Sequence, residues 1–278
     1  MSFLPKLVIT LVALTVVGGL TTKTVQAGEP TEIKKLILPG EAFLVADRPA
    51  FILWPAEGKR QTPQPWICYA PTLPGLPDEH EKWMHEKFLA SGVAVAGIDV
   101  GEAHGGPRGR ELFTKLYEEL TTRRQFAKKC CLLGRSRGGL WVTGWAVENT
   151  DKVAGIAGIY PVFDFRTYPK LEQAAPAYGL TVAELESQID KHNPIARVPA
   201  LVKAKIPALL IHGDEDVVVP LKENSAEFAA KYQSAGVGDL VTLVVAKGQG
   251  HNYWEGFFRC QELIDFAIER AKVGARTE

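Results

Sequence analysis

The sequence predicts one α/β domain, built on a mostly parallel central sheet with helices on both faces and a small lid insertion. Three observations point there. Short apolar runs alternate with stretches of helical spacing along most of the chain. One of those stretches, Leu140 to Val147, is apolar nearly all round and must lie buried beneath a central parallel strand. A length of 278 residues suits a single α/β domain with an insertion better than two separate domains.

The elements follow in order. Ala42 to Val45 and Ala50 to Trp54 read as short antiparallel edge strands around a turn signal at Asp47-Arg48-Pro49. Trp66 to Ala70 is a buried strand, Pro77 to Ser91 a helix with Pro77 in its first turn, and Val93 to Ile98 a strand. Trp83, Met84, Phe88 and Leu89 give that helix its inner face. Glu111 to Phe126 is the next helix, and an apolar strand beginning at Cys130 leads into the helix Leu140 to Val147. Val153 to Ile159 is a strand, after which 161–194 breaks the rhythm with Phe163, Phe165, Tyr168 and Tyr178 and one helical stretch, Thr181 to Lys191; this is the expected lid. Ala208 to Ile211, Leu221 to Gln233, Leu240 to Val245 and Phe257 to Val273 complete the alternation of strand and helix. Strands separated by helices imply right-handed crossovers.

Lys6, the apolar stretch Leu7 to Leu20, and Val25-Gln26-Ala27 before Gly28 have the three-part form of a secretory signal peptide. The expectation is a signal segment 1–27, a domain 28–278, a secreted or periplasmic location and no stable membrane association after cleavage. The apolar run is shorter than the ~20 residues that a spanning helix needs. Lys plus Arg and Asp plus Glu both total 32, so nothing in the balance suggests nucleic acid or an anionic membrane as a partner. The four cysteines, Cys68, Cys130, Cys131 and Cys260, read as buried small apolar residues on strands and the last helix, with a bridge from Cys68 to one of the vicinal pair as the alternative.

Chemistry concentrates at Gly134-Arg135-Ser136-Arg137-Gly138, where an apolar strand runs into Gly-x-Ser-x-Gly and continues as a helix. Such an elbow presents the Ser hydroxyl at a strand end, and the N–H of the following residue, Arg137, is placed to donate to an oxyanion. A Ser hydroxyl needs a base during attack, and a buried carboxylate then fixes the tautomer of that base. His251, in Gly248-Gln249-Gly250-His251, supplies the base, and His212-Gly213-Asp214-Glu215-Asp216 supplies two acidic candidates, Asp214 and Asp216. Ser, Asp, His is the triad order along the chain.

From the elbow to His251 the sequence resembles the α/β-hydrolase superfamily, in particular its dienelactone-hydrolase-like and prolyl-oligopeptidase-like esterase branch. The resemblance implies the α/β-hydrolase fold, with Ser136 as nucleophile, Asp216 of the D-x-x-V-P segment as the acid and His251 as the base. It also implies a second oxyanion donor in Pro71-Thr72-Leu73-Pro74-Gly75. The prolines have no N–H, and alignment with the family's His-Gly-x loop puts the donor at Leu73, with Thr72 second, although the His-Gly itself is absent here.

Arg135 and Arg137 flank the nucleophile. Arg135 is a candidate to bind a substrate carboxylate, the alternative for either being an ion pair with a nearby acid. His212 reads as structural, as does Asp99, while His104 has no assigned role. His80 and His85 stand five apart and do not share a helix face, so no metal site is expected, and no cofactor. The expected activity is an exported serine hydrolase cleaving small-molecule or saccharide carboxylic esters through an acyl-enzyme. Its alternatives are a serine peptidase of the prolyl-oligopeptidase-like type and a non-catalytic binding protein on the same fold.

Overall fold

A computed structural model describes residues 33–276, and the expected signal segment 1–27 lies outside them. The described strands are β1 (Gly40–Val45), β2 (Arg48–Leu53), β3 (Trp66–Ala70), β4 (Ala94–Ile98), β5 (Cys130–Arg135), β6 (Val153–Ile159), β7 (Ala208–Gly213) and β8 (Val241–Ala246). They form one sheet in the order β1-β2-β4-β3-β5-β6-β7-β8. β1, β2 and β4 pair antiparallel, and every pairing from β4 through β3 to β8 is parallel. The helices are α1 (Glu79–Ala90), α2 (Pro107–Glu118), α3 (Gly138–Ala146), α4 (Leu171–Tyr178), α5 (Val182–Ser187), α6 (Ile189–His192), α7 (Pro194–Arg197), α8 (Pro199–Lys203), α9 (Glu227–Ser234), α10 (Glu255–Phe258) and α11 (Gln261–Arg276). This is the α/β-hydrolase fold.

The strands are apolar without interruption because both faces are covered. Trp66, Cys68, Ala70, Cys130 and Leu132 point into a core shared with α2 and α3, while Ile67, Tyr69, Cys131 and Leu133 point into a second core shared with α1 and α11. Helix α3 is buried along its whole length. All four cysteines are buried free thiols, which excludes the alternative of a bridge from Cys68. No helix among the described residues is long and apolar enough to cross a membrane.

Several boundaries differ from expectation for local reasons. The first hairpin turns on Ala46 and Asp47, both left-handed (φ 48° and 61°), so the turn precedes Arg48-Pro49 rather than containing it. Pro77 stands outside α1: Asp78 is the N-cap, accepting the His80 N–H at 3.0 Å, while Glu81 reaches back to the Asp78 N–H at 3.2 Å. The stretches expected as Glu111 to Phe126 and Leu221 to Gln233 each contain a wider π turn, at Glu119–Arg123 and Lys222–Ala226. Cys260 sits in the break between α10 and α11, not on the final helix.

The 161–194 segment is a packed insertion. Phe163, Phe165, Ala174, Ala175, Tyr178 and Leu185 join the core on the α3 side. Asn224 Oδ1 accepts the N–H groups of Phe163 (2.8 Å) and Asp164 (3.0 Å), and Asn193 Nδ2 donates to Asp164 Oδ1 at 2.7 Å. Most of its aromatic residues enter this packing, while Tyr168 has its ring 6.0 Å from the guanidinium of Arg137, a residue that lines the cleft beside Ser136.

Candidate active site

Ser136 occupies the turn between β5 and α3 with φ 50°, a left-handed conformation that is strained for a residue with a Cβ. Its N–H donates to Ile159 O (2.9 Å), and its carbonyl accepts from Gly139 and Val162 (both 2.9 Å), so backbone bonds on both sides hold the strain. The elbow glycines answer to close approach: a Cβ on Gly138 would lie 2.2 Å from Ala70 O, and one on Gly134 2.9 Å from the Gly139 Cα.

The loops after β7 and β8 bring the other two groups to this hydroxyl. Ser136 Oγ lies 2.8 Å from His251 Nε2, and His251 Nδ1 lies 2.7 Å from Asp216 Oδ2. A carboxylate only accepts, so the His251 proton sits on Nδ1 and Nε2 turns its lone pair to the Ser hydroxyl. Asp216 Oδ1 accepts the N–H groups of Val218 (3.0 Å) and Val219 (2.7 Å). Burial alone would raise the Asp216 carboxyl, yet hydrogen bonds from His212, His251 and Val219 hold it well below the usual carboxylate range, ionised at any ordinary pH. Asp214 takes no part in this contact. It pairs with Lys247 (3.2 Å) and accepts the Gly248 N–H (2.7 Å), holding the loop that carries His251.

The cleft beside Ser136 measures about 210 Å³ and is walled by Pro71, Leu76, Tyr160, Asn252 and Tyr253, with Arg135 and Arg137 flanking the hydroxyl. The Arg137 N–H enters none of the elbow's backbone hydrogen bonds. Of the loop after β3, Pro71 and Leu76 line the cleft. Leu73 packs against the core, and its carbonyl is tied by Lys34 Nζ (2.6 Å) and the Leu76 N–H (2.9 Å). Thr72 is fully buried, its hydroxyl on Tyr69 O (3.3 Å).

Arg135 lines the cleft and is at the same time held by carboxylates of the protein. Its side chain is 7% exposed, with Nη1 2.8 Å from Glu81 Oε2 and 3.0 Å from Asp78 Oδ2. The rings of Tyr253 and Phe258 lie 5.2 Å and 5.1 Å from the guanidinium. Two carboxylates from α1 and its cap already neutralise the charge. Burial pushes the Glu81 carboxyl up, and Arg135 together with the Tyr69 hydroxyl and the Asp78 N–H on the same oxygen pulls it back. Arg137 pairs with Glu102.

Asp99 accepts from Arg48 and the Gly101 N–H, a loop-holding role. His104 is buried, and burial lowers its pKa. His80 stacks on Tyr253 at 4.3 Å, whereas His85 is fully buried and pushed down to about 3 by burial. No cluster of His, Cys, Asp and Glu among the described residues could hold a metal ion.

Sequence reasoning passed over Tyr160 and Tyr253. Tyr160 follows β6 with φ 34°, and its ring lies 4.4 Å from that of His251. Its place at the end of the strand beside the elbow strand was the available signal, as was the position of Tyr253 two residues beyond His251.

A strained Ser on a strand-to-helix elbow, joined by hydrogen bonds to a His and a buried Asp from later strand ends, has the geometry of a serine-hydrolase site on the α/β-hydrolase fold. The family profile described as prolyl oligopeptidase family matches residues 103–267. The chain belongs to that family. No curated protein sequence matches it. Among solved structures, a puromycin-hydrolysing peptidase from Mycobacterium tuberculosis superposes with TM-score 0.65 at 16% identity, covering 83% of this chain and 40% of that one. Est1E from Butyrivibrio proteoclasticus gives 0.62 at 18% identity, covering 83% and 98%. The S-formylglutathione hydrolase FrmB from Staphylococcus aureus gives 0.64 at 14% identity, covering 83% and 98%. The chain thus spans about 40% of the length of the peptidase. At these identities the likeness is one of fold.

Proposed function

We propose that the protein hydrolyses carboxylic esters of small acyl groups through an acyl-enzyme on Ser136. The observation that carries this reading is the hydrogen-bonded series Ser136 Oγ, His251, Asp216. His251 Nε2 takes the hydroxyl proton as Oγ attacks the ester carbonyl, and the Arg137 N–H donates to the oxyanion. Asp216 stabilises the imidazolium, which returns the proton to the departing alcohol. Water, deprotonated by the same nitrogen, then releases the acid and restores Ser136.

A cleft of about 210 Å³ lies below the ~300–1,000 Å³ of pockets that engulf larger ligands. That favours a short acyl group over a peptide laid across several subsites. The N-terminal segment supports export, and an exported ester hydrolase meets ester groups carried on carbohydrates. The peptidase reading draws on the family name and on the puromycin-hydrolysing neighbour.

Purified protein assayed on p-nitrophenyl esters of graded chain length and on peptide anilides decides between the two. Turnover should be greatest for the shortest acyl chains and absent for the anilides. Faster cleavage of anilides than of any ester would overturn the ester reading.

A further inference from the structure

His212 closes β7 and is fully buried, next to the candidate acid and outside the three-residue series. Its Nε2 lies 2.8 Å from Val219 O and 3.3 Å from Asp216 Oδ2, and its Nδ1 lies 2.8 Å from Ser225 Oγ. A carbonyl oxygen only accepts, so Nε2 must carry a proton. That N–H bonds Val219 O, and its nitrogen lies against the carboxylate at 3.3 Å. In the neutral ring Nδ1 is then an acceptor, and the hydroxyl of the fully buried Ser225 donates to it.

Asp216 receives three hydrogen bonds, from the Val218 and Val219 N–H groups on Oδ1 and from His251 Nδ1–H on Oδ2, and His212 Nε2 stands 3.3 Å from Oδ2 as a further polar contact. The two backbone amides restrain one oxygen only. The terminal torsion of an Asp side chain is soft, and without a second restraint on Oδ2 the carboxylate could twist about its bond and carry the His251 ring with it.

We propose that His212, oriented by Ser225, is a positioning residue that fixes the plane of the Asp216 carboxylate and thereby the angle at which His251 meets Ser136. This rests on reading Ser136, His251 and Asp216 as the reacting groups. The role is orientation at one remove, since His212 touches neither the cleft nor the hydroxyl. A misplacement of about 1 Å behind a reacting group costs on the order of 100-fold in rate, so the effect should fall on turnover and leave binding alone.

The test compares His212→Phe, which removes both ring nitrogens, with His212→Gln, whose amide can return an N–H toward Asp216 and Val219. With p-nitrophenyl acetate as probe, His212→Phe should lower kcat by about 10- to 100-fold with KM within about twofold, and His212→Gln should recover most of the loss. The low-field proton resonance of the His251 Nδ1–H to Asp216 bond should shift or broaden in the Phe variant and return in the Gln variant. A folded His212→Phe protein with wild-type kcat overturns the proposal, as do equal kcat losses in both variants. Should His212→Phe fail to fold, Ser225→Ala carries the test: a several-fold fall in kcat with a shifted resonance supports the proposal, and no change in either refutes it. Failure of the underlying reading looks different, because wild-type protein would then escape fluorophosphonate labelling at Ser136.

Discussion

Arg135 Nη1 and Glu81 Oε2 meet 2.8 Å apart beneath the cleft, joining the residue before the nucleophile to the first turn of α1 across 54 positions of sequence. Glu81 is fully buried and also accepts from the Tyr69 hydroxyl at 2.8 Å. The pair therefore ties the elbow strand to a helix on the face of the sheet that the second core occupies.

Removing one partner strands the other as a buried charge, which costs about 3–5 kcal/mol. Arg135→Ala should lower the melting temperature markedly, and adding Glu81→Gln should recover part of the loss. The preference between a glucuronic acid acetyl ester and a glucose acetyl ester should stay unchanged, because both lose activity together. A selective loss on the acidic ester, with no change in melting temperature, would return Arg135 to substrate recognition.

Ser136→Ala should abolish ester hydrolysis and keep the fold, since it deletes one hydroxyl at a strand end. A fluorophosphonate probe should label wild type alone. Labelling of both proteins at equal rates would exclude Ser136 as nucleophile.

Asp216→Asn should reduce kcat by orders of magnitude, about 10⁴-fold where the same change has been made in a triad. Asp214→Asn should act on stability, because its partners are Lys247 and the Gly248 N–H. Turnover and melting curves on both variants separate the two roles, and a dead Asp214→Asn beside an active Asp216→Asn would reverse the assignment.

Acid should act twice. The folded-state pKa of Asp216 is lowered relative to the unfolded chain, so its contribution to stability is present above about pH 4, the unfolded value, and is lost as pH falls through the folded value. The difference in unfolding free energy between wild type and Asp216→Asn should shrink as pH falls below about 4. Activity should also fall toward acid, because the Ser136 hydroxyl needs an unprotonated acceptor for its proton during attack. A rate independent of pH on the acid side would contradict a His base.

The four thiols should be silent in the folded protein. Burial pushes Cys131 up to about 12 and raises the other three as well, so almost no thiolate is exposed to reagent. Ellman's reagent should find no reactive thiol under native conditions and all four in denaturant. Rapid native reaction would mean that the strands open.

The order of strands and helices was legible in the sequence because it depends on near neighbours. Alternation along β3 and β5 sorts side chains between two cores, and the apolar helix α3 has no surface to give to water. The elbow was legible for the same reason: Gly134 and Gly138 answer to atoms a few residues away or on the adjoining strand. Ser136, Asp216 and His251 each stand in a short motif at a strand end, and the parallel sheet brings its strand ends to one edge.

What the tertiary structure alone decided is how charges and donors pair across distance. Two arginines beside a nucleophile could face substrate or a protein carboxylate, and the choice of Glu81 and Asp78 for Arg135 depends on how α1 packs against the sheet. The 161–194 insertion carried no signal of where its aromatics would be buried, since apolar composition demands burial and leaves the partner open. Local sterics and periodicity determine which elements form and which groups stand at their ends. The pairing of those groups is a matter of distances of about 3 Å between residues far apart in sequence, and only packing sets them.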